Sequence, residues 1–412
     1  MQKIWVINQH ANTPNMPGHT RQFEIAKGLV EKGWSVYVFA SDFNLSTRKF
    51  IYNKKKISSL QLINGINWHW LKVIPYYSNN WKRYLNIISF AIHLLIKLIY
   101  KSFLDKLFNK LPDLIFASSP QLPAAFIGLI ISKIIKRPFV LEIRDLWPQV
   151  LIEQGGMDQS SFIIKILSIL EKLLYKNADH VIVLAKGSKD FVKKRGAKNV
   201  TWLPNGPDLE IFKKQILPKE PEKFTFTKPF KIFYTGAHGE ANALDIVIDA
   251  ARLIRDLPIK IYLVGDGPEK KKLIRYSKGL ENIIFKDPIP KKDIPKLLKN
   301  SHSILLTLKN IKLYSYGVSP NKLYDAYAIG RPVITNVNGD INDEVNINRI
   351  GITSNPSSYK SLASAIRQMF FTPRLKRIKM ANRARLLAES LYSREKVIDK
   401  LNKILLENLD NL

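Results

Sequence analysis

Hydrophobic residues in the first half of the chain occur in short continuous runs separated by longer stretches of helical period. Residues 3–8 and 35–40 are apolar runs of strand length, and the segment between them follows a helical repeat that Gly33 ends. Short continuous runs are typical of strands buried on both faces, and their alternation with helices indicates βαβ units. Further strands are predicted at residues 114–117, 139–143, 180–185 and 200–203. The pattern predicts a doubly wound parallel sheet in this half of the chain.

A second alternating series follows a stretch rich in proline and lysine at residues 218–229. Its strands are predicted at residues 231–234, 260–264, 283–285, 302–306 and 333–335. A chain of 412 residues is too long for a single core. We therefore predict an α/β protein in which two Rossmann-like, doubly wound parallel-sheet domains face a cleft. The domains are predicted at residues 1–205 and 229–389 with a linker at 206–228, and a helix from about residue 390 is expected to pack back on the first domain.

Two segments depart from this alternation. Residues 44–78 show no regular period and are predicted to be irregular. Residues 85–100 are almost continuously apolar and lie between basic residues, and Asp105 is the single acidic residue of the segment 81–111. The run is shorter than the roughly 20 apolar residues that a spanning helix needs. Two interpretations stay open: a monotopic helix that dips into lipid, or a core helix of the first domain.

The composition adds a preference for anionic partners. Lysine and arginine outnumber aspartate and glutamate by 65 to 34, which gives a formal net charge of +31. Such a surface favours nucleic acid, anionic lipid or phosphorylated substrates. The chain has no cysteine, which excludes disulfides and thiolate metal sites. The apolar run at the N-terminus is too short for a signal peptide, so a cytoplasmic protein is expected.

The stretch of residues 319–334 carries the main candidate chemistry. Ser319 is a candidate N-cap and Pro320 suits the first helical position, so free backbone N–H groups are expected there,. Lys322 follows within the first turn and Asp325 one turn later. N–H groups, a cation and a carboxylate in this order suit a nucleoside diphosphate. The alternative is an ordinary capped helix before a parallel strand.

Other candidates follow predicted strands, at the sheet edge where such folds bind ligands. Gly18 and Arg21 follow the first strand, and Glu142, Arg144 and Asp145 follow or end the strand at 139–143. Charges at the end of a buried strand are costly unless they are paired or functional. The second group is therefore either part of a site or a structural Arg144–Asp145 ion pair.

Several short motifs, taken in order, resemble those of the family-4 glycosyltransferases of the GT-B fold. The motifs are Gly18…Arg21, Pro204-Asn-Gly-Pro-Asp208, Gly236, Gly265-Asp-Gly-Pro268 and residues 319–332, and the resemblance covers nearly the whole chain. The likeness is to bacterial O-antigen and capsule enzymes. Within these, Arg144-Asp-Leu-Trp-Pro148 and Ser319-Pro-Asn-Lys322 look like the N-acetyl-L-fucosamine transferase subgroup.

The resemblance implies retaining transfer of a sugar, expected to be an N-acetylated amino sugar, from a UDP-linked donor to a lipid-linked saccharide. The product would belong to a bacterial surface polysaccharide such as O-antigen, lipopolysaccharide or capsule. The second domain would hold the donor, with Lys322 at the diphosphate and Asp325 at the ribose, and the first domain would hold the acceptor. No Asp-x-Asp motif occurs, so transfer without metal or cofactor is expected, in a peripheral enzyme at the inner face of the plasma membrane.

The candidate residues follow from the motifs and this resemblance together. The proposed catalytic residues are Glu142, Arg144, Asp145 and His238. The proposed donor-binding residues are Gly18, Arg21, Gly236, Glu240, Asn242, Gly265, Asp266, Gly267, Ser319, Pro320, Asn321, Lys322 and Asp325, and no metal ligand is expected.

The chain departs from the family pattern at several places. Gly317 stands where many members have the first of two glutamates, the one beside the transferred sugar, and Asp325 stands at the second. Ser118 and Ser119 stand where many members have a histidine after the strand at 114–117. The usual Arg and Lys after the second domain's first strand are absent, and that loop contains His238, Glu240 and Asn242.

Two other classes stay open. UDP-N-acetylglucosamine 2-epimerases share the architecture but need no acceptor, and the apolar, basic segment at 81–110 favours the transferase because it suits a lipid-linked acceptor. The net charge of +31 also suits a nucleic-acid-binding protein. However, the lysines are spread along the chain without a known reading motif, so no nucleic-acid partner is expected.

Overall fold

A computed structural model describes residues 1–16, 20–51, 58–78, 80–213 and 229–410 of the chain. Gly18 and most of the predicted linker, residues 214–228, lie outside these ranges. The described chain divides into two compact units. The first unit contains Met1–Leu184, Ser188–Leu203 and the chain from Ile398, and the second contains Ala185–Gly187 and Pro204–Val397.

The first unit is built on an eight-stranded sheet. Its strands, with the small β3–β4 ribbon, are β1 Lys3–Ile7, β2 Ser35–Ser41, β3 Phe43–Asn44, β4 Lys49–Phe50, β5 Ser58–Ile63, β6 Ile66–Leu71, β7 Leu114–Ser118, β8 Phe139–Ile143, β9 His180–Val183 and β10 Val200–Trp202. Its helices are α1 Arg21–Glu31, α2 Lys82–Leu107, α3 Leu122–Ile134, α4 Gln149–Glu153, α5 Phe162–Asn177 and α6 Ser188–Lys194. The strand order is β10-β9-β8-β7-β1-β2-β6-β5, and every pairing is parallel except β5–β6.

The direction of each crossover decides which face of this sheet a helix covers. The chain moves from β1 to β2 through α1 in one direction, and from β6 to β7 to β8 to β9 through α2, α3 and α5 in the other. Because such crossovers are right-handed, the two groups of helices cover opposite faces. Accordingly α3 packs between α2 and α5. On the other face, a Cβ at Gly28 of α1 would lie 2.3 Å from the side chain of Ile398.

The prediction of an irregular segment at 44–78 is wrong where the structure describes it. Strands β5 and β6 form an antiparallel hairpin, and β6 joins the main sheet parallel to β2. Asn64 and Gly65 connect them with φ of 50° and 78°, which is the left-handed backbone that a two-residue hairpin requires. The Asn-Gly pair was the available signal for this hairpin.

The second unit contains a six-stranded, fully parallel sheet in the order β13-β12-β11-β14-β15-β16. Its strands are β11 Phe230–Thr235, β12 Ile259–Val264, β13 Ile283–Lys286, β14 Ser303–Leu306, β15 Val333–Thr335 and β16 Gly351–Thr353. Its helices are α7 Leu209–Lys213, α8 Leu244–Arg252, α9 Lys270–Tyr276, α10 Ile294–Leu298, α11 Lys312–Ser315, α12 Asn321–Ile329, α13 Asp340–Ile347, α14 Tyr359–Phe371 and α15 Arg374–Leu387. A last helix, α16 Arg394–Asp410, begins in this unit and continues into the first. The predicted pair of doubly wound parallel sheets is confirmed.

Within the described ranges, α2 is the one helix long and apolar enough to cross a membrane, and 28% of its most apolar window is buried. Its inner face packs Phe90, Leu94 and Leu98 at 0% exposure. The same face buries Asn86, whose amide accepts a hydrogen bond from Gln9 and donates one to the carbonyl of Ile74. One side of α2 is therefore part of the core of the first unit, and the opposite side is exposed.

Candidate functional site

The N-terminus of α12 in the second unit begins one residue later than the capping pattern predicts. Pro320 is the N-cap and Asn321 the first helical residue, and no side chain caps the helix. The Ser319 hydroxyl accepts a hydrogen bond from the Asn205 backbone N–H at 3.1 Å instead and lies 2.8 Å from the Tyr324 hydroxyl. Asn205 also donates its amide to the Ser319 carbonyl. The first N–H groups of α12 are thus left without a side-chain cap.

Lys322 carries a positive charge into this region. Its Nζ donates to the hydroxyl of Tyr234 and to Oδ1 of Asn242, each at 2.9 Å, and lies 4.1 Å from the Tyr234 ring centre. Among the described residues no carboxylate forms an ion pair with it. Burial lowers the pKa of Lys322 to about 7. A desolvated ammonium held by neutral groups is a strong site for an anion.

Two glycine loops pack directly on each other beside Lys322. A Cβ at Gly265 would lie 1.9 Å from the carbonyl oxygen of Gly236, and one at Gly267 would lie 2.5 Å from that of His238. At Gly236, a Cβ would lie 3.3 Å from Cε and Nζ of Lys322. The sequence and its family resemblance placed these glycines among the donor-binding candidates. In the structure, contact between the two loops already requires them.

His238 points into the core. Its side chain is fully buried, lies between the rings of Tyr234 and Phe285, and has no hydrogen-bond partner at either ring nitrogen within the described part of the chain. Burial lowers the pKa of this imidazole. The loop follows β11 as expected, but the side chain is not exposed as a catalytic imidazole would have to be.

The remaining donor-side candidates differ in their surroundings. Asn242 contacts Lys322 directly, whereas Glu240 is exposed and pairs with Lys309. Asp266 is exposed as well, and its side chain accepts a hydrogen bond from the N–H of Gly267. Asp325 is half-buried on α12, one turn after Lys322. No group of three His, Asp or Glu within the described ranges could hold a metal ion.

A buried polar cluster surrounds Glu142 at the end of β8 in the first unit. The carboxylate accepts hydrogen bonds from Arg21, Gln22 and Ser118 at 2.7–2.9 Å, and Arg21 also forms an ion pair with it at 2.8 Å. Burial by itself would raise the pKa of Glu142, but the guanidinium groups of Arg21 and Arg144 outweigh it and hold the pKa below its ordinary value. The charge of Arg21, a donor-binding candidate, is therefore already matched within its own unit.

Arg144 and Asp145 occupy the rim of this cluster. The Arg144 guanidinium donates to the Gln22 side chain at 3.4 Å, and its backbone N–H donates to the Ser119 hydroxyl. Asp145 is exposed. The sequence left an Arg144–Asp145 ion pair as the alternative to a site, and the 2.8 Å ion pair of this cluster joins Arg21 to Glu142. Gln22 was missed because a polar residue on a helix has no signal of its own.

Comparison with known proteins agrees with the fold. Residues 18–206 match the glycosyl transferase 4-like domain, and residues 229–370 match the glycosyl transferases group 1. Two parallel α/β units with these two matches define a glycosyltransferase of the GT-B class. The chain belongs to the group 1 glycosyltransferases, with a family-4-like N-terminal domain. The predicted GT-B fold is confirmed, and so is the prediction that the chain is a glycosyltransferase.

Individual relatives are more distant. WcaI of Escherichia coli K12, named for a glycosyl transferase of colanic acid biosynthesis, is 24% identical over 80% of this chain and 81% of its own. WbjE of Pseudomonas aeruginosa, named as a glycosyltransferase, is 21% identical over 48% of this chain and 50% of its own. HepE of Anabaena, solved with UDP and glucose, superposes with a TM-score of 0.69 at 18% identity over 98% of this chain and 99% of its own. These likenesses support a glycosyltransferase of polysaccharide biosynthesis.

Proposed function

We propose that the protein transfers a sugar from a UDP-linked donor to a lipid-linked saccharide during synthesis of a bacterial surface polysaccharide. The observation that carries this proposal is the half-buried, desolvated ammonium of Lys322. It has no carboxylate partner within the described residues and lies beside the uncapped start of α12. A diphosphate would supply the missing negative charge. HepE, which shares the fold, was solved with UDP and with UDP-glucose, and WcaI is named for colanic acid.

The finer parts of the proposal rest on motifs of the sequence. Transfer of an N-acetylated amino sugar, as in N-acetyl-L-fucosamine transferases, is supported by Arg144-Asp-Leu-Trp-Pro148 and Ser319-Pro-Asn-Lys322. Metal-independent transfer is supported by Lys322, which would meet the charge that develops on the leaving diphosphate together with the N–H groups of α12. A peripheral location at the inner face of the plasma membrane is supported by the exposed apolar side of α2.

A thermal-shift panel of UDP-, GDP- and dTDP-sugars tests the donor. A ligand at 100 times its dissociation constant stabilises the folded state by ~2.7 kcal/mol, so UDP-sugars should raise Tm and the others should not. Lys322→Gln is the matched control and should lose the shift. If no nucleotide sugar raises Tm, the donor assignment fails.

A turnover assay separates transfer from epimerisation. The purified protein is incubated with UDP-N-acetylhexosamine, with and without a membrane extract that contains lipid-linked saccharide. We expect UDP release only with the extract. Conversion of the nucleotide sugar without an acceptor would identify an epimerase instead.

A further inference from the structure

Three neighbouring helices of the first unit expose apolar side chains on the same outer surface. Helices α2, α3 and α5 cover one face of the sheet, with α3 in the middle. The Tyr84 hydroxyl of α2 lies 4.0 Å from the sulfur of Met157, shortly before α5 begins. Soluble monomers rarely expose a contiguous apolar patch larger than a few hundred Å². We call this surface the three-helix face and define it by the outward residues of α2, α3 and α5.

On α2 the exposed apolar residues form a single stripe along the helix. Their spacing of four, four, four, three, four and four places them on one side, opposite the buried Phe90, Leu94 and Leu98. Each is between 40% and 63% exposed. The stripe consists of Tyr84, Ile88, Ile92, Ile96, Ile99, Phe103 and Leu107, and Tyr100, 59% exposed, lies at its edge one turn after Ile96.

Helix α5 carries a second stripe of exposed apolar residues. Phe162 is 77% exposed and Ile169 is 58% exposed, while Ile164 and Leu174 are buried on the opposite side. The stripe continues through Ile166 and Leu173. Between the two stripes, α3 has no charged residue before Lys133, and its last residue, Ile134, is 65% exposed. The apolar surface is therefore three helices wide.

Basic residues outnumber acidic residues around this face. The two acidic residues in α2, α3 and α5 are both paired: Asp105 with Lys3 and Lys101, and Glu171, which is buried, with Arg195. The basic residues of the three helices are Lys82, Arg83, Lys97, Lys101, Lys106, Lys133, Lys165, Lys172 and Lys176. At the ends of α3 and α5, exposed Lys136, Lys176 and Lys198 line a cavity of about 710 Å³, which Asp179, the partner of Lys133, also lines. An apolar face with a basic border is complementary to an anionic lipid bilayer.

We propose that the three-helix face docks flat on an anionic bilayer, with α5 inserting its stripe beside that of α2. A spanning arrangement of α2 is excluded by its inner face, since Phe90, Leu94, Leu98 and the hydrogen-bonded Asn86 belong to the core of the first unit. The inference rests on the proposed function in one respect: docking would bring a lipid-linked acceptor to the enzyme. The binding itself needs no substrate.

The decisive test uses α5, because α5 distinguishes this surface from a single-helix anchor. Phe162→Glu/Ile169→Glu changes two exposed residues, and Ile347→Glu/Leu375→Glu changes two residues of the second unit that are 78% and 66% exposed. Binding is measured by co-sedimentation with vesicles of phosphatidylcholine containing phosphatidylglycerol, at low and high salt. The α5 variant should lose roughly tenfold or more in vesicle affinity, since two apolar side chains no longer leave water. The control variant should bind like the wild type.

Three outcomes would overturn the inference. Wild-type affinity of the α5 variant would show that α2 acts alone, and equal binding to pure phosphatidylcholine at high salt would remove the role of the basic border. A wild-type dimer that the α5 variant converts to monomer, with no change in vesicle binding, would assign the face to a second copy of the chain. The UDP-induced Tm shift, measured on the same variants, shows that they are folded. The same Tm shift separates this inference from the proposed function. A variant that loses vesicle binding but keeps the UDP-induced Tm shift has lost only the docking face.

Discussion

The Nζ of Lys322 lies 2.9 Å from the hydroxyl of Tyr234 and 4.1 Å from the centre of its ring. The cation is held by a phenol and by the Asn242 amide, both neutral, instead of by a carboxylate. In its protonated form Lys322 therefore carries a charge that no carboxylate of the described residues pairs with. In the first unit, by contrast, Arg21 forms an ion pair with the carboxylate of Glu142.

Binding of UDP should be accompanied by uptake of a proton by Lys322. Burial lowers the pKa of this side chain to about 7 in the free protein, and a bound diphosphate would raise it again. At about pH 8.5 we expect uptake approaching one proton, measured by calorimetry in buffers of different ionisation enthalpy. Below about pH 6 the uptake should vanish, because Lys322 is already protonated. Equal uptake by Lys322→Gln would contradict the assignment.

The same residue should make stability depend on pH. Between about pH 7 and the ordinary lysine value of 10.5, the unfolded chain binds a proton that the folded chain has released. The contribution of Lys322 to the free energy of unfolding should therefore rise with pH through this window. The contribution is measured as the difference in free energy of unfolding by urea between the wild type and Lys322→Met at several pH values in this window. If that difference does not change with pH, the prediction is wrong.

Asp325 and Lys322 should differ in the kinetic constant that they affect. If Asp325 accepts hydrogen bonds from the ribose, each lost bond costs about 1.5–3 kcal/mol and weakens nucleotide binding roughly 10–150-fold. The ribose is present in ground and transition states alike, so Asp325→Ala should mainly raise KM. Lys322→Gln should lower kcat as well, because charge grows on the leaving diphosphate. Steady-state kinetics of the two variants, with UDP binding measured by calorimetry, tests both predictions. If Asp325→Ala binds UDP as tightly as the wild type, Asp325 is not part of the nucleotide site.

Although Glu142 is one of the catalytic candidates, we expect it to contribute strongly to the free energy of unfolding. Glu142→Leu removes the carboxylate that forms the buried ion pair with Arg21, which costs about 3–5 kcal/mol in urea unfolding. The double variant Arg21→Met/Glu142→Leu should recover much of this loss. Glu31→Gln, which breaks the exposed pair with Lys27, is the control and should cost less than about 1 kcal/mol. Because the folded-state pKa of Glu142 lies below its ordinary value, its contribution should be lost as the pH falls through that lowered pKa.

For Asp145 we expect an effect on turnover and little effect on stability. Its side chain is exposed next to Arg144, so Asp145→Asn should change Tm little. If the rim of the cluster contacts substrate, turnover should fall far more than stability. A variant that is unstable but fully active in its folded fraction would instead indicate an ion pair with a structural role.

Gly265 and Gly239 offer a matched pair for the donor loops. Gly265→Ala places a Cβ 1.9 Å from the carbonyl oxygen of Gly236, so one loop has to move. At Gly239 the nearest atom to a new Cβ is 3.8 Å away and φ is −109°, which alanine adopts,. We expect Gly265→Ala to weaken UDP binding and lower Tm, and Gly239→Ala to change neither. Normal UDP affinity in Gly265→Ala would mean that the loops do not shape the site.

The sequence by itself determined the architecture and the position of Lys322. Apolar runs of strand length alternate with helical periods because every parallel strand is buried on both faces and every crossover is a helix. Pro320 and Gly330 bracket a helix for local reasons that need no tertiary contact. These features depend on residues that are close together in the sequence, so they could be predicted without a structure.

Only the tertiary structure decided which side chains meet. Gln22 and Ser118 reach Glu142 from elements about a hundred residues apart, and His238 turns inward although its loop lies where it was expected. The apolar residues of α2 and α5 follow a helical repeat, but the repeat does not determine whether the apolar stripe faces the core or the solvent. The answer depends on which side of each helix packs against the sheet, and that is fixed by the handedness of the crossovers and by the neighbouring helices.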